Sequence, residues 1–346
     1  MKLKPALGGL CFFFGLQVLP AQELGGDLVL EAYQHTYPEK VRAVTWSDGD
    51  WTIQVGTEIF YWARGRLLPP DLRHNWEAYR PHGFYPYPRE APSPEQFSAE
   101  QIEGLRLQGS AEASPGREDH HYAFQASLYG GLTRREIEQR LVKTTFLGRG
   151  LTVHADIVEA LKRVDRAITE TARRDAETAA FVASIASLGG YNWREIRGTQ
   201  RMSYHSWGLA VDIQPKTLGN KAIYWQWERA RNEDWMLVPL DRRWKPPDTV
   251  IRAFENEGFT WGGKWALYDN MHFEFRPELH EINRLIAART GSAGITKSET
   301  SSDLHHLYPQ AVPEHRPSLP GRFIRALGDF FLSGGSEARQ TPTPFP

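Results

Sequence analysis

Two short stretches, remote from each other in the chain, constrain its fold more than anything else in it. The first is Ser203-Tyr204-His205-Ser206-Trp207-Gly208-Leu209-Ala210-Val211-Asp212-Ile213, and the second is Asp269-Asn270-Met271-His272-Phe273-Glu274-Phe275. His205 and Asp212 stand seven positions apart, too far for the i, i+4 pairing that helical His-Glu-x-x-His sites use. A turn followed by a strand can bring both ends to one point, and 210–213 reads as that strand. Residues 271–275 read as a second strand, with His272 and Glu274 on one face. If that strand lies beside the first, two imidazoles and one carboxylate close on a single ion. Three such ligands with a fourth position left open suit a catalytic zinc site.

The first stretch alone equally suits an ordinary core histidine. The second adds Asp269, three residues before His272 and at the mouth of its strand. From there a carboxylate can stand beside a metal's water without coordinating the ion, as a hydrolytic general base must. Glu274 reads either as a partner behind His272 or as a plain hydrogen-bonded strand residue. Gly208 lets the backbone bend or another segment approach closely, and Ala210 keeps the space beside the ion small.

Composition removes several alternatives. The formal net charge is −1, so no bulk attraction to nucleic acid is expected. Lys2 and Lys4, the apolar run 7–19 around Phe12-Phe13-Phe14, and Leu19-Pro20-Ala21 before Gln22 read as a secretory signal. That run falls short of the roughly 20 apolar residues of a membrane span, so no stable span and a periplasmic or secreted location are expected, with an uncleaved N-terminal anchor as the minority alternative. The single cysteine, Cys11, sits inside this segment. The mature chain therefore has no disulfide, and any metal must be held by His, Asp or Glu.

Along the chain, 51–55 and 59–63 read as strands of a hairpin turning at Gly56-Thr57-Glu58. The proline-rich 81–88 reads as an extended or turn-rich loop, a packed connection in preference to a peptide or glycan contact, and 91–118 as a helical turn plus linker. His120-His121 reads as a solvated or satisfied pair, because neighbouring side chains diverge on any regular element. Thr133 to Glu136 opens a short helix. A longer one begins near His154, with Ile157, Leu161, Val164 and Ile168 as its apolar stripe. Residues 181–185 read as a strand closed by Gly189-Gly190. An aromatic insertion follows the first motif, with Tyr224, Trp225, Trp227, Trp235 and Trp244. Pro246-Pro247-Asp248 caps a helix ending near Gly258, and 259–261 is a strand entering the Gly262-Gly263 turn. The tail from about 290 turns to Gly, Ser, Thr and Pro, apart from an amphipathic segment at 323–332.

These two stretches resemble the signatures of the zinc peptidases grouped as lysostaphin, D-alanyl-D-alanine carboxypeptidase and hedgehog relatives. Within that group they look like the D-alanyl-D-alanine carboxypeptidase and phage L-alanyl-D-glutamate endopeptidase branch. The pattern Ser-x-His-x-x-Gly-x-Ala-x-Asp is complete as Ser203, His205, Gly208, Ala210 and Asp212. Trp261-Gly262-Gly263-Lys264-Trp265 resembles the segment that precedes the base. The resemblance implies that His205, Asp212 and His272 are Zn²⁺ ligands and Asp269 the general base. It places a substrate- and oxyanion-holding arginine upstream, matched by Arg194 with Arg197 as competitor. Ser203, Tyr224, Trp225 and Trp227 are the substrate-binding candidates. Carboxypeptidase members usually carry Glu at the base position and endopeptidase members Asp, so Asp269 leans towards the endopeptidase.

The resemblance spans about 150–290. It implies an α+β fold, with a small antiparallel sheet carrying the ligands and helices flanking it, plus a smaller N-terminal module. The expected division is a signal at 1–21, a β-rich or irregular module with linker at 22–118, a zinc peptidase domain at 119–290, and a flexible tail at 291–346. The implied activity is hydrolysis of peptidoglycan stem peptides or similar D-residue-containing peptides. Rival readings are a non-catalytic zinc-containing cell-wall binding protein, and a glycan-binding wall protein dominated by residues 24–90. A serine hydrolase using Ser203 or Ser206 is disfavoured, since neither sits in a Gly-x-Ser-x-Gly elbow.

Overall fold

The computed structural model describes residues 24–109, 120–194 and 202–290. The expected signal segment, the linker residues 110–119, Arg197 and the tail from 291 lie outside the described residues. No helix among the described residues is long and apolar enough to cross a membrane.

Helix α1 (Gly26–Thr36) leads into an antiparallel sheet of β1 (Val41–Ser47), β2 (Asp50–Val55), β3 (Glu58–Trp62) and β4 (Leu67–Leu68), in that spatial order. The β2–β3 pair is the hairpin expected from sequence. Strand β1 is an addition to the sequence reading, and its signal was present. Asp48-Gly49 takes positive φ at both positions, 55° and 82°, the two-residue turn that Asp-Gly favours between strands. Trp46 on β1 is 61% exposed, which blurs the apolar alternation that would mark the strand. The proline-rich stretch is the packed connection expected of it. Tyr87 is buried, with its hydroxyl donating to Glu255 (2.6 Å) and accepting from the Trp261 N–H (2.9 Å).

Beyond α2 (Ala99–Gly109) and α3 (Ala123–Tyr129), α4 (Arg134–Glu138) opens with a complete capping box. Thr133 accepts the Glu136 N–H, and Glu136 reaches back to the Thr133 N–H at 2.9 Å. A hairpin of β5 (Leu141–Phe146) and β6 (Arg149–His154) follows. Then comes α5 (Val158–Ala172), entered through a 3₁₀ turn at Ala155–Ile157. Its expected stripe of Ile157, Leu161, Val164 and Ile168 is buried throughout.

The strand expected at 181–185 is instead the end of helix α6 (Ala176–Ser184), and the strand β7 (Ile185–Gly189) starts where the helix stops. Asp175 decides this locally: its carboxylate accepts the Thr178 N–H at 2.8 Å and caps an alanine-rich first turn. A short apolar run such as Phe181 to Ile185 has no periodicity of its own to oppose that cap.

Strands β8 (Ala210–Pro215), β9 (Phe259–Trp261) and β10 (His272–Phe275) complete a second antiparallel sheet, in the order β7-β8-β10-β9. The short helix α7 (Trp225–Arg229) lies in the aromatic insertion, α8 (Asp248–Glu255) precedes β9, and α9 (Pro277–Arg289) follows β10. The fold is α+β, with small antiparallel sheets flanked by helices. One buried core runs from Leu30 and Tyr33 of α1 through Phe124 and Trp207 to Phe254 and Phe273. The insertion packs separately, with Trp235, Met236 and Tyr268 closing against Leu105 of α2.

Phe254 on α8 stacks on Phe273 of β10 at 4.0 Å between ring centres and meets Phe146 and Phe259 edge-on. This contact holds α8 against the back of the second sheet. Phe254→Ala should lower the unfolding free energy by about 3–5 kcal/mol, read as a reduced denaturant midpoint at unchanged m-value.

Candidate metal centre

Pairing of β10 with β8 sets His272 directly opposite Asp212, and Glu274 opposite Ala210. These four residues share one face of the sheet, because side chains alternate along a strand. His205 arrives from the 3₁₀ turn Tyr204–Trp207 that precedes β8. Gly208 ends that turn at φ 68°, and a Cβ there would stand 2.7 Å from the His154 N and 2.8 Å from Leu141. Both reasons given for a glycine here, the bend and the close approach, therefore hold.

The three ligand candidates meet. His205 Nε2 lies 3.1 Å and His272 Nδ1 2.9 Å from the same Asp212 Oδ1, and the two nitrogens are 3.2 Å apart. His205, Asp212 and His272 are grouped so that one donor atom from each falls within 4.8 Å of the others.

The far nitrogen of each ring has a partner that fixes its role. His205 Nδ1 lies 2.6 Å from the Gly190 carbonyl, which can only accept, so the proton sits there and Nε2 presents a lone pair inwards. His272 Nε2 lies 3.2 Å from Glu274 Oε2 and donates to it, leaving Nδ1 to face the centre. Outer partners of this kind orient metal-binding imidazoles. The opposition of Ala210 to Glu274 gives the carboxylate room beside the centre.

Electrostatics argue the same way. Burial by itself would raise Asp212, but the charges and hydrogen bonds of His205 and His272 outweigh it and hold the carboxyl well below the usual range. Burial would lower His272, yet hydrogen bonds to Asp212 and Glu274 push it up to about 10. In the metal-free protein a proton thus does the work of a cation between two carboxylates. Glu274 and the fully buried Glu278 are paired with the buried guanidinium of Arg276, whereas Asp212 has only the two imidazoles as partners. The donor set fits a divalent metal.

Asp269 sits at the entrance to β10. Its N–H donates to the Gly262 carbonyl at 3.0 Å, and its carbonyl is where a Cβ on Gly262 would collide, at 2.5 Å. This close approach accounts for Gly262 in the segment before the base candidate. Asp269 Oδ1 is buried with no hydrogen-bond partner among the described residues. Burial and the charge of Asp212 push its carboxyl up to about 7, against the opposing charges of His272 and Arg194 and the Met271 N–H. A carboxyl poised near neutrality beside a metal triangle is suited to shuttling a proton.

Arg194 is exposed, and its backbone is fastened to the His205 turn through Ser206. The Arg194 N–H donates to Ser206 Oγ (3.0 Å), and the Ser206 hydroxyl donates to the Arg194 carbonyl (2.6 Å). Ser203 is buried, with its hydroxyl oxygen accepting the His205 N–H at 3.3 Å. Tyr224 pairs with Asp269 in an antiparallel bridge, and its ring lies 5.8 Å from that of Trp227, which is half exposed. Trp225 turns the other way, packing on Trp235 at 4.8 Å. Arg276, Glu278 and the Gly190 carbonyl were missed by the sequence reading. A signal existed for Arg276: His272, Glu274 and Arg276 alternate with Phe273 and Phe275, a charged face on a strand that has to be buried.

Comparison with known proteins follows this geometry. Residues 197–275 match the model of a family described as D-alanyl-D-alanine carboxypeptidase, a span that holds His205, Asp212, Asp269 and His272. Residues 29–84 match a domain of unknown function. No curated protein and no solved structure matches the chain. The first match supports a metallopeptidase-type hydrolase acting on a peptide or peptidoglycan substrate.

Because His272 holds its extra proton up to about pH 10 without metal, an incoming ion must displace it. Ion binding at pH 7 should release about one proton, and affinity should fall about tenfold for each unit that pH drops below about 10. Titration calorimetry in buffers of different ionisation enthalpy measures the proton count. His272→Ala should abolish both the binding and the release.

Proposed function

We propose that the chain is a secreted zinc metallopeptidase that hydrolyses peptide bonds in peptidoglycan stem peptides. The observation that carries this reading is the convergence of three inward-facing donor atoms beside a buried carboxyl, Asp269, whose Oδ1 has no partner among the described residues. Two imidazoles and one carboxylate suit zinc, and the matching family model of a D-alanyl-D-alanine carboxypeptidase supports that choice of ion. The basic and apolar N-terminus at 1–21 supports export to the periplasm or beyond.

A bound zinc ion supplies Lewis acidity, acidifying a water and polarising the scissile carbonyl. The protein's own groups handle the proton and the developing charge. Asp269, ionised, accepts the proton of the attacking water at its unpartnered oxygen and later returns it to the departing amine. Arg194 presents a guanidinium for the oxyanion or a substrate carboxylate. Ser206 and Ser203 act through the backbone, tying Arg194 and His205 to one turn. Tyr224, bridged to Asp269, and the half-exposed Trp227 beside it are the aromatic contacts for substrate, with Trp225 packed on Trp235 of the insertion.

Two scissile bonds are in play. Asp rather than Glu at 269 favours an endopeptidase of the L-alanyl-D-glutamate type, whereas the description of the matching family favours a D-alanyl-D-alanine carboxypeptidase. Muropeptides incubated with zinc-loaded protein and analysed by mass separate them: loss of a terminal alanine marks the second, and scission of the stem marks the first. Binding without cleavage would favour a non-catalytic wall-binding protein.

Asp269→Asn should lower turnover by about 10²–10⁴-fold while leaving zinc uptake intact. The rate should rise with pH along an acid limb as Asp269 ionises. The midpoint of that limb should lie at or below about 7, the metal-free value, since a nearby cation favours the carboxylate. A variant as active as the parent would remove Asp269 from the chemistry.

A further inference from the structure

Behind His272 lies a buried chain of charges that leads out of the metal centre and into the N-terminal helix. Glu274 Oε1 accepts from Arg276 Nη1 at 3.4 Å, and Arg276 Nε donates to Glu278 Oε1. Arg276 Nη2 donates to the carbonyl of Gly83 at 3.0 Å. Glu278 in turn receives long contacts of 3.5 Å from the hydroxyls of Tyr33 on α1 and Tyr37 just past its end. The guanidinium also lies 5.0 Å from the ring of Tyr204, the residue before His205. Glu274, Arg276 and Glu278 are 7%, 6% and 0% exposed.

Ionic groups so deeply buried lose their hydration, and an apolar set of similar shape would serve stability as well or better. Their retention asks for a role that packing does not fill. All three nitrogens of the guanidinium are engaged, each on a different element: Glu274 on β10, Glu278 on α9 and Gly83 in the proline-rich connection. Gly83 is in turn placed by Phe84, whose ring meets Tyr33 edge-on at 5.9 Å and Trp62 at 5.5 Å. The chain crosses the limits of both matched regions. Arg276 and Glu278 lie just past residue 275, and Tyr33, Tyr37 and Gly83 lie within 29–84.

We propose that Arg276 is a positioning residue for the metal centre, and that the segment matching a domain of unknown function serves as its outer support. Glu278, Gly83 and the two tyrosines hold the guanidinium, the guanidinium holds Glu274, and Glu274 holds the tautomer and angle of His272. This rests on the metal-site reading above and extends it: residues 29–84 complete the centre and are not an appended binding module.

The test measures Zn²⁺ affinity by competition with a chromogenic chelator and the visible spectrum of the Co²⁺-loaded full chain, alongside the melting temperature of the metal-free protein. Arg276→Lys keeps the charge and loses the three-way fork. It should weaken zinc binding about 10–100-fold and shift the cobalt bands. The double variant Tyr33→Phe with Tyr37→Phe should shift both readouts in the same direction by a smaller factor. Arg289→Ala cuts the surface bridges from α9 to Asp27 and Glu31 on α1 and should leave both unchanged. If Arg276→Lys does not fold, the tyrosine pair decides alone. Variants that melt earlier but keep the parent's zinc affinity and cobalt spectrum would overturn the relay and leave the metallopeptidase reading standing. A parent chain that takes up no zinc would overturn both.

Discussion

Everything at the site depends on one cross-strand pairing, His272 on β10 opposite Asp212 on β8. In an antiparallel ladder a slip of one residue turns every side chain to the other face. Here the other face decides the register, because Phe273 and Val211 pair directly behind the ligands and are both fully buried. Phe273 is clamped by Phe254 of α8. The ligand geometry is thus a consequence of core packing: the apolar side of the strand fixes which residues the polar side presents.

The rings would still be ambiguous without their outer partners, since either nitrogen of an imidazole can face an ion. The Gly190 carbonyl on one side and Glu274 on the other remove that freedom. They do it from different distances in the chain. Gly190 follows β7 and is pressed against the β5–β6 hairpin, where a Cβ would stand 2.3 Å from the Thr152 carbonyl. Glu274 is on the same strand as the ring it orients. His205 thus presents a lone pair inwards, whereas His272 shares its extra proton with Asp212 and Glu274, a charge that a cation would have to replace.

The N-terminal segment and the aromatic insertion are built into this arrangement in different ways. Helix α1 packs on α9, and its Tyr33, together with Tyr37 just past its end, reaches the buried charges behind β10. The insertion makes its own small core with α2 and meets the segment entering β10 through the Tyr224 bridge to Asp269 and through the Ile223 and Trp244 carbonyls, which accept from Asn270.

The sequence by itself picked out the three side chains that the fold brings together, the carboxyl of Asp269 beside them, and the strands β8 and β10. Residue type and alternation are local properties, and they survive in a linear reading. It determined the α5 stripe and the α4 cap for the same reason. It misjudged 181–185, where an N-cap six residues upstream outweighed a short apolar run, and it passed over β1 because an exposed Trp46 broke the alternation. Only the tertiary structure could decide that Ser206 ties down Arg194, that Gly190 sets the His205 tautomer, and that Arg276 links β10 to α1. Each of these is a hydrogen bond between groups far apart in the chain, and no local pattern encodes which distant carbonyl or carboxylate the fold will bring within 3 Å.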